Sequence, residues 1–533
     1  MSIPILNSKL RAPIAAAILF VAVVGATNFL HGHAYYPHVI VEVQENVRLQ
    51  FLQQALLNRE TCQAAVAAIA DAVRVSCPSC RVAARQCLDT LEPAHEKLLS
   101  GEPIDTPSSS LPRGVVTYAS GDKALALAAC RETERLAASE QGFHTICYPA
   151  NVPRPLANSE QGRPVGTPQA FAGSLLLLLT GLASAFAGHL IVRYEALHAR
   201  WSHDRASSGP QKFHATPAPR IGGLGLMAAL FVCGAALFAT GQGASGEQFG
   251  YLLFASVPAF LGGITEDVTK NLSALARLML TVIAAALCVW LLGAVIPRLD
   301  VPGIDALLRW APFAVAFTLF AVGGVANSIN IIDGYNGLAA GHAVIVLAAM
   351  SYISVLLGDA FLLTSALAMI GALLGFLAWN YPKGRIFLGD GGAYLLGFWL
   401  AELSVLVVVR HPEVSPWFPM LLLVYPIFET LFSIYRRKFL DGRSPGEPDR
   451  MHLHQVIYMR MTRARPDISD PATAIRLNNR VAPVSWLMTL CCAVPAMVFW
   501  KETPWLVAAS AVFCVGYLLL YRLVLAWGPP VAR

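Results

Sequence analysis

Long apolar runs separated by short polar segments dominate the chain from residue 170 onward. A helix needs about 20 consecutive apolar residues to cross a bilayer, so we predict a membrane-spanning helix at each run. An earlier run, at 13–30, follows Lys9 and Arg11 and is interpreted as an uncleaved anchor with its N-terminus inside. The pattern predicts an all-α polytopic membrane protein of 11 to 12 spans, the others being 170–192, 221–241, 250–265, 273–296, 311–327, 338–357, 362–380, 391–409, 416–435, 482–499 and 505–525.

The composition supports a membrane protein. Of 533 residues, 56% are hydrophobic and 14% are charged, whereas soluble domains carry about 25% charged residues. The net charge of +6 reflects Lys and Arg residues that concentrate between 436 and 480, which orients that loop toward the cytoplasm. No basic stretch is interleaved with aromatic residues as a base-stacking platform would be, so nucleic acid is not an expected partner.

Counting the spans from an inside N-terminus places the polar segments on one side of the membrane. The loops at 193–220, 266–272, 328–337, 381–390 and 436–481 all fall in the cytoplasm. The opposing loops are short and poor in Lys and Arg, so the count and the charge bias agree. The sequence therefore predicts a cleft for chemistry at the cytoplasmic surface.

A segment of soluble composition, 31–168, separates the anchor at 1–30 from the polytopic domain at 169–533. We predict that this segment is a small disulfide-rich α/β domain outside the cytoplasm. Its expected elements are a helix at 46–72 and a strand–helix–strand unit at 114–150.

Six of the eleven cysteines lie in this outer segment. An even number of cysteines outside the cytoplasm predicts a disulfide framework. Its connectivity does not follow from the sequence, and we pair Cys130 with Cys147 as a hypothesis. The alternative is a zinc or redox site at Cys77 and Cys80. The five cysteines in or beside apolar runs are expected to be packing residues.

The polar segment ANSINIIDGYNGLAA at 326–340 interrupts the apolar pattern most clearly. Asn327, Asn330, Asp333 and Asn336 recur every three residues, so the first three of them would lie on one face of a helix. Two glycines in the same segment allow the backbone to bend or to approach a ligand. Carboxylates and amides between membrane spans are costly and mark functional sites. The alternative is a polar turn between two helices.

Four further polar segments share the predicted cytoplasmic side. They are PRIGGLG at 219–225, GGITEDVTKN at 262–271, WNYPKGRIFLGDGGAYLLGF at 379–398 and GRSPGEPDRMHLHQ at 442–455. The side chains that carry their candidate chemistry are Glu266, Asp267, Lys270, Asn380, Lys383, Arg385, Asp390, Asp449, Arg450, His452 and His454.

These residue types suit phosphoryl transfer. Carboxylates bind Mg²⁺, which keeps waters and substrate phosphate oxygens in its coordination shell. Lys, Arg and glycine backbone suit a diphosphate, and positioning and charge neutralisation supply most of the catalysis in such reactions. His452 and His454 are two residues apart and cannot share a helix face, so we expect an extended loop that contacts anionic oxygens.

Each segment alone also has a simpler interpretation. Asp390 before two glycines could cap the next helix. Glu266 and Asp267 could form a solvated helix start with an ion pair to Lys270. The two histidines could lie at the membrane interface. Five such segments on one side of the membrane favour one shared functional site over five unrelated structural features.

The motifs GGITEDVTKN, NSINIIDGYNGLA, FLGDGGAYLLGF and PDRMHLHQ, in this order, resemble those of the polyprenyl-phosphate N-acetylhexosamine-1-phosphate transferases of glycosyltransferase family 4. That family includes the phospho-N-acetylmuramoyl-pentapeptide transferases. The resemblance covers about 171–455 and does not reach the outer segment. It implies a bundle of about ten or eleven transmembrane helices. It also implies an enzyme that moves a sugar 1-phosphate from a UDP-sugar to a polyprenyl phosphate and releases UMP.

The resemblance also implies roles for individual residues. Asp390 falls on the Asp of the family's FxGDxG motif, so it is an expected Mg²⁺ ligand together with Asp267. Contacts to the substrates are expected from Lys270, Asn327, Asn330, Asn380 and Arg450. The expected catalytic residues are Glu266, Asp267, Asp333, His452 and His454.

Three positions depart from the family pattern. Glu266 stands where the family has the first Asp of a pair, which puts its role as a base in doubt. Asn336 replaces the second Asp of a DGxDG pattern and cannot be an anionic ligand. Gln455 stands where some relatives have a further His.

The sequence thus predicts a Mg²⁺-dependent transferase that uses a UDP-N-acetylhexosamine and undecaprenyl phosphate, and whose product primes O-antigen, capsule or another envelope glycan. We expect it in the bacterial inner membrane, with 31–168 in the periplasm. The HLHQ and ITEDVTK segments resemble the glycan-initiating branch more than the pentapeptide branch. The alternative is a non-catalytic membrane scaffold or sensor built on a degenerate transferase bundle. A homodimer is compatible with the sequence, which does not identify the oligomeric state.

Overall fold

The computed structural model describes residues 36–43, 47–53, 59–76, 80–89, 95, 104–111, 114–139, 147–151, 167–203, 218–241, 243–444, 449–463 and 471–527. The predicted anchor at 13–30 and Cys77 lie outside the described residues. The chain divides near residue 174 into two compact units.

The first unit contains a six-stranded sheet in the order β3–β1–β2–β5–β4–β6, with antiparallel neighbours. Two helices accompany the sheet and pack on its apolar residues. The elements are β1 Tyr36–Val43, β2 Val47–Gln53, α1 Arg59–Ser76, β3 Arg81–Leu88, β4 Ser108–Leu111, β5 Gly114–Ala119, α2 Lys123–Ser139 and β6 Cys147–Tyr148.

The helix predicted at 46–72 is wrong in its first part. Residues 47–53 form strand β2, and the helix begins only at Arg59. Val47, Leu49 and Phe51 alternate with polar residues, a period of two that fits a strand. Leu49 and Phe51 pack into the apolar cores under both helices, so tertiary contacts stabilise this strand.

Disulfides tie each helix of this unit to an edge of the sheet. Cys62 of α1 pairs with Cys87 of β3, and Cys130 of α2 pairs with Cys147 of β6. The second bond confirms the pairing hypothesised from the sequence. Cys80 is also disulfide-bonded and is therefore not a thiolate ligand, which contradicts the zinc alternative.

The second unit is helical, and its described helices match the eleven predicted runs. Nine are long and apolar enough to cross a membrane, α5 is shorter, and one run is broken into α13 and α14. The helices are α3 Thr167–Arg193, α4 Glu195–Ser202, α5 Gly223–Ala239, α6 Gly243–Thr269, α7 Ala274–Leu292, α8 Pro302–Leu308, α9 Ala311–Ile332, α10 Leu338–Leu357, α11 Ala360–Asn380, α12 Gly389–Arg410, α13 Trp417–Leu422, α14 Val424–Tyr435, α15 Leu453–Arg463, α16 Pro471–Asn478, α17 Ala482–Val498 and α18 Thr503–Ala526. The chain is a multi-pass membrane protein.

Helix α12 is the centre of this bundle and packs most extensively on α6 and α9. In the most apolar 18-residue window of α12, 89% of the residues are buried, against 22% in α18. The peripheral helices expose apolar side chains such as Phe186 and Leu519, as expected of surfaces that face lipid. Close helix contacts use small residues, because a Cβ at Gly375 of α11 would collide with the backbone of Gly181 on α3.

Two predicted boundaries are wrong in a way that concerns the chemistry. Glu266 and Asp267 lie in the last turn of α6 and not in a loop at 266–272. Asp390 lies in the first turn of α12 and not in the loop before it. Both helices extend further than predicted because their terminal backbone groups form hydrogen bonds with side chains where the two helix ends meet.

Candidate functional site

Helices α5, α6 and α12 approach each other closely where their ends meet. A Cβ at Gly263 of α6 would collide with the backbone of Asp390, and one at Gly223 would collide with Gly392. The segment before α5 also pairs with the segment before α12, since Phe387 N donates to Pro219 O at 2.8 Å and Gly223 N to Leu388 O at 2.9 Å. These glycines bring three polar helix ends to one place.

Asp267 caps the N-terminus of α12. Its Oδ1 accepts a hydrogen bond from the backbone N–H of Asp390 at 3.0 Å, and its Oδ2 accepts one from Gly391 at 2.8 Å. The side chain is 1% exposed. A carboxylate in this position satisfies two of the otherwise unpaired N–H groups of the helix and interacts favourably with its dipole. The structure thus gives Asp267 a positioning role for Asp390.

The Asp390 side chain points away from that cap and meets two arginines. Its Oδ2 forms an ion pair with Arg277 of α7, and its Oδ1 lies 3.4 Å from Nη2 of Arg220. Asn330 Nδ2 donates to the same Oδ1 at 3.2 Å. We call Asp267, Asp390, Arg220, Arg277 and Asn330 the Asp390 cluster.

The predicted polar face of α9 reaches this cluster. Asn327, one turn before Asn330, accepts a hydrogen bond from the hydroxyl of Tyr394 at 3.3 Å. The Arg277 guanidinium stacks on the Tyr394 ring at 5.7 Å from its centroid. The structure therefore brings Asn327 and Asn330 to the side of α12 that carries Asp390.

Asp333 follows the last residue of α9 and interacts with the same charges. Burial raises the pKa of Asp333 to about 7; Asp267 adds to this rise and Arg220 opposes it. Like charges close together in a protein favour the protonated form of one partner, and a bound cation would reverse that preference. The protonation state of Asp333 therefore depends on the positive charge beside it.

Glu266 and Lys270 complete the end of α6. Glu266 Oε2 accepts from the backbone N–H of Leu272 at 2.7 Å, which closes the turn after the helix. Lys270 has φ of +57° and donates from Nζ to the backbone oxygen of Asp267 at 2.5 Å. Both side chains contact backbone, so their predicted contacts with substrate remain predictions.

Asn380 contacts two backbone segments, and its predicted contact with substrate remains a prediction. It is 4% exposed, accepts from Gly337 N at 2.6 Å and donates to Ile386 O at 2.8 Å. Its amide thus joins the loop after α9 to the loop before α12. The structure assigns Asn380 to holding these two loops together, because buried amides bond to backbone groups when they are available.

Asn336 is also a structural contact. Its backbone N–H donates to Asn478 Oδ1 at 2.9 Å, and its Nδ2 donates to Asn479 Oδ1 at 3.0 Å. Asn479 in turn donates from its own Nδ2 to Pro382 O at 2.6 Å. The Asn336 amide, which stands where the family pattern has Asp, therefore donates to a side chain of the segment before α17.

His452 and His454 do not lie in an extended loop, which corrects the prediction. His454 is in the first turn of α15, and His452 immediately precedes that helix. Their rings stack almost in parallel, 5.4 Å apart. A helix start has non-helical backbone before it, so residues two apart can present their rings to the same side.

The two histidines differ in their partners. His452 Nδ1 lies 3.0 Å from Glu429 Oε1, and its Nε2 lies 3.6 Å from Asp449. His454 is 2% exposed, and in the described part of the chain neither of its ring nitrogens has a hydrogen-bond partner. Burial lowers the pKa of His454 to about 4, so its ring is neutral near pH 7. We call Glu429, Asp449, His452, His454 and Tyr517 the His454 cluster.

The His454 ring faces the loop that contains Asp333. A Cβ at Gly334 would lie 3.4 Å from His454 Nε2, and the Tyr335 ring meets the His454 ring edge to face. Arg450 is exposed on the segment that leads to His452. The His454 ring therefore lies against the loop at 333–337, which follows the polar end of α9.

Sequence reasoning missed the contributions of Arg277 and Glu429. Arg277 lies in the run 273–296 and Glu429 in the run 416–435, both of which were interpreted only as spans. The signal that could have identified them is an ionisable residue inside an apolar run. Arg220 was noted beside its glycines but was not assigned to the site.

The site resembles a divalent-cation and phosphate site more than a metal centre made of protein ligands alone. Among the described residues, no group of three or more His, Cys, Asp and Glu side chains is arranged to hold a metal ion. Mg²⁺ commonly binds through one or two carboxylates plus water and substrate phosphates. The carboxylates of Asp267, Asp333 and Asp390 are of the type that such an ion binds, and the predicted roles of Asp267 and Asp390 as its ligands remain predictions.

Comparison with known proteins identifies the chain's relatives. A family profile described as glycosyl transferase family 4 matches residues 249–408, which include Glu266, Asp333 and Asp390. A probable undecaprenyl-phosphate N-acetylglucosaminyl 1-phosphate transferase of Bacillus subtilis is 27% identical over 318 residues, 59% of this chain and 82% of that protein.

Two other relatives extend the comparison. An undecaprenyl-phosphate alpha-N-acetylglucosaminyl 1-phosphate transferase of Thermotoga maritima is 30% identical over 253 residues, 48% of this chain and 72% of that protein. A phospho-N-acetylmuramoyl-pentapeptide-transferase of Streptococcus thermophilus is 28% identical over 234 residues, 41% of this chain and 66% of that protein. The chain therefore belongs to glycosyl transferase family 4, as its motifs indicated.

Proposed function

We propose that this protein transfers an N-acetylhexosamine 1-phosphate from a UDP-sugar to undecaprenyl phosphate and releases UMP. The observation that carries the proposal is the Asp390 cluster, a carboxylate flanked by two arginines at a helix end within the family segment. The names of the Bacillus and Thermotoga relatives support the donor and acceptor classes. We place the reaction at the cytoplasmic surface of the bacterial inner membrane.

The reaction forms one bond and breaks one. An oxygen of the lipid phosphate attacks the β-phosphorus of the UDP-sugar, and the bond from that phosphorus to the bridging oxygen breaks. UMP leaves with the bridging oxygen, and the lipid carries a diphosphate-linked sugar. Phosphate monoesters have a second pKa of about 6, so the attacking phosphate is already mostly a dianion at neutral pH. The attack therefore needs no strong side-chain base, and Glu266 is not required in that role.

The chain's cations would neutralise the reacting phosphates. Arg220 and Arg277 converge on Asp390 from α5's leading segment and from α7. A guanidinium group carries five N–H donors in a planar arrangement that matches the oxygens of a phosphate. Asn330 and Asn327 would orient oxygens beside them, and His454 would donate a hydrogen bond from its neutral ring.

Mg²⁺ is the cation that these carboxylates fit best. Asp390 and Asp333 would hold it, with Asp267 fixing Asp390 through the backbone. Such an ion neutralises the diphosphate and assists departure of the nucleotide. Asp267 acts in this proposal as a positioning residue and not as a direct ligand.

The test uses the purified full-length protein in detergent with undecaprenyl phosphate, Mg²⁺ and a panel of UDP-N-acetylhexosamines. The expected result is UMP release that requires both lipid and Mg²⁺, with one donor preferred. Omission of the lipid is the control for hydrolysis of the donor. Absence of UMP release across the panel from folded protein would contradict the proposal and favour the scaffold alternative.

A further inference from the structure

A buried carboxylate outside the family segment supports the histidines. Glu429 on α14 is 1% exposed and has three hydrogen-bond partners. Its Oε1 lies 3.0 Å from His452 Nδ1 and accepts from Leu453 N at 3.2 Å. Its Oε2 accepts from the Tyr517 hydroxyl at 2.7 Å. Glu429 therefore fixes both the His452 ring and the first backbone N–H of α15.

A second carboxylate holds the other side of the His452 ring. Asp449 lies 3.6 Å from His452 Nε2 and accepts from Ser433 Oγ at 2.6 Å and from Met451 N at 3.0 Å. Arg436 forms an ion pair with the same carboxylate. Because carboxylates face both ring nitrogens of His452, that ring has one orientation and no free position for a substrate.

His454 has the opposite character. Its ring stacks on the fixed His452 ring and faces Gly334, yet neither of its nitrogens has a hydrogen-bond partner among the described residues. A buried polar group without a partner is costly, so such a group indicates a ligand that completes it. The two histidines therefore differ in role: carboxylates hold the His452 ring, and the His454 ring is available to a ligand.

We propose that Glu429 and Tyr517 are positioning residues, which fix His452 and the start of α15 so that His454 is presented to the UDP-sugar. This inference rests on the proposed function for the identity of the ligand. Tyr517 lies on the last helix, α18, where the neighbouring Tyr521 also donates to Met451 O at 2.9 Å. The final helix of the chain is thereby connected to the site through hydrogen bonds.

A second buried glutamate provides a matched control. Glu402 on α12 is 0% exposed, but it lies beside the Cys288 thiol and 12 residues from Asp390, which is about 18 Å along a helix. Replacing Glu402 by Gln changes a buried glutamate of the same helical bundle that has no contact with either histidine. Glu402→Gln therefore controls for the general effect of changing a buried acid in this bundle.

The test is a double-mutant cycle on UMP release. Glu429→Gln is expected to lower kcat/KM for the UDP-sugar about 10- to 100-fold, since small displacements of a contacting group have effects of this size. Tyr517→Phe is expected to lower it about 3- to 10-fold, the loss of one hydrogen bond. The KM for the lipid phosphate should remain within about twofold of wild type, because the effect is directed at the nucleotide sugar.

The cycle then asks whether Glu429 acts through His454. If it does, the double variant Glu429→Gln/His454→Ala should have a kcat/KM for the UDP-sugar no more than about threefold below that of His454→Ala alone. Losses that multiply would overturn the inference, and so would an equal loss in Glu402→Gln. Thermal unfolding of each variant checks that the effect is not loss of fold.

A readout without substrate separates this inference from the proposed function. Hydrogen–deuterium exchange of the peptide covering 449–458 should increase in Glu429→Gln and in Tyr517→Phe, and should not change in Glu402→Gln. If the wild-type protein releases no UMP from any donor, the proposed function fails. Hydrogen–deuterium exchange still shows whether Glu429 and Tyr517 hold the start of α15. Unchanged exchange in both variants would overturn the positioning itself.

Discussion

The Asp390 cluster and the His454 cluster contain similar residue types but are built in opposite ways. In the Asp390 cluster, the Asp267 carboxylate accepts two backbone N–H groups and lies 3.9 Å from Arg220 Nε, whereas the Asp390 carboxylate is paired with the side chains of Arg220 and Arg277. In the His454 cluster, carboxylates hold His452, and the ring nitrogens of His454 have no hydrogen-bond partner within the described ranges.

The comparison teaches that residue type alone does not identify a reactive group. Asp267 and Asp390 are both carboxylates within the family segment, yet only the first accepts the backbone N–H groups of the α12 helix end. The adjacent histidines differ in the same way. In each cluster, one residue makes contacts within the protein that hold its neighbour in a defined position: Asp267 holds Asp390, and His452 holds His454.

The largest expected effect is that of Asp390→Asn. We expect loss of about 10³-fold or more in UMP release, because the change removes the negative charge that faces the site. The thermal unfolding temperature should also fall, because the change removes the ion pairs of this carboxylate with Arg220 and Arg277, so activity is compared on protein shown to be folded. An active Asp390→Asn variant would remove Asp390 from the expected metal ligands.

Asp267→Asn should also reduce both activity and stability, but its loss of activity should be smaller than that of Asp390→Asn. An amide oxygen can accept from one of the two N–H groups of α12, and its NH₂ group would face the other. We expect about 10- to 100-fold lower kcat and a lower thermal unfolding temperature, because an unsatisfied buried group costs about 1–3 kcal/mol. A variant with normal unfolding and no activity would show that Asp267 acts in the chemistry directly.

The buried neutral ring of His454 predicts a pH dependence of stability. Its folded pKa of about 4 lies below the ordinary value of 6.5, so the unfolded chain takes up the proton first as the pH falls. The free energy of unfolding should fall by about 3 kcal/mol between pH 6.5 and 4 from this group, and its contribution should be complete above pH 6.5. Thermal unfolding of wild type and His454→Ala across this range measures the difference. Parallel curves would contradict the account.

Asn336→Asp tests the departure from the family pattern and should have the smallest effect. A carboxylate there would face Asn479 Oδ1, which now accepts from the Asn336 amide, at a site that is 2% exposed. We expect a loss of stability of about 1–3 kcal/mol and no gain in activity. Asn336→Ser, which keeps a donor, is the matched control. Higher activity at unchanged stability would show that position 336 is a lost acidic site.

The sequence predicted the spans and the polar face of α9 because hydrophobic periodicity and intramembrane polar residues are local signals. It also predicted that Asn330 and Asp390 belong to one site, through the motifs that contain them. It did not distinguish Asp267 from Asp390, since the difference arises from which oxygen meets the end of a distant helix. Glu429 and Arg277 were missed because single charges in apolar runs do not change a prediction of spans.

The first unit, which contains the six-stranded sheet, shows the same limit. The pairing of Cys130 with Cys147 followed from a helix and the next strand, whereas strand β2 was assigned to a helix. Its alternation is short, and pairing with β1 and β5 stabilises it. Pairing with distant strands cannot be detected from a seven-residue segment.

The most direct test of the central claim follows the phosphorus atom that moves. Purified protein is given a UDP-N-acetylhexosamine labelled with ³²P in its β-phosphate, together with undecaprenyl phosphate and Mg²⁺, and the lipid and nucleotide fractions are separated. The account predicts that the label enters the lipid fraction and that the released nucleotide is unlabelled UMP. Label retained in released UDP, with sugar on the lipid, would show direct sugar transfer and would contradict the proposed reaction.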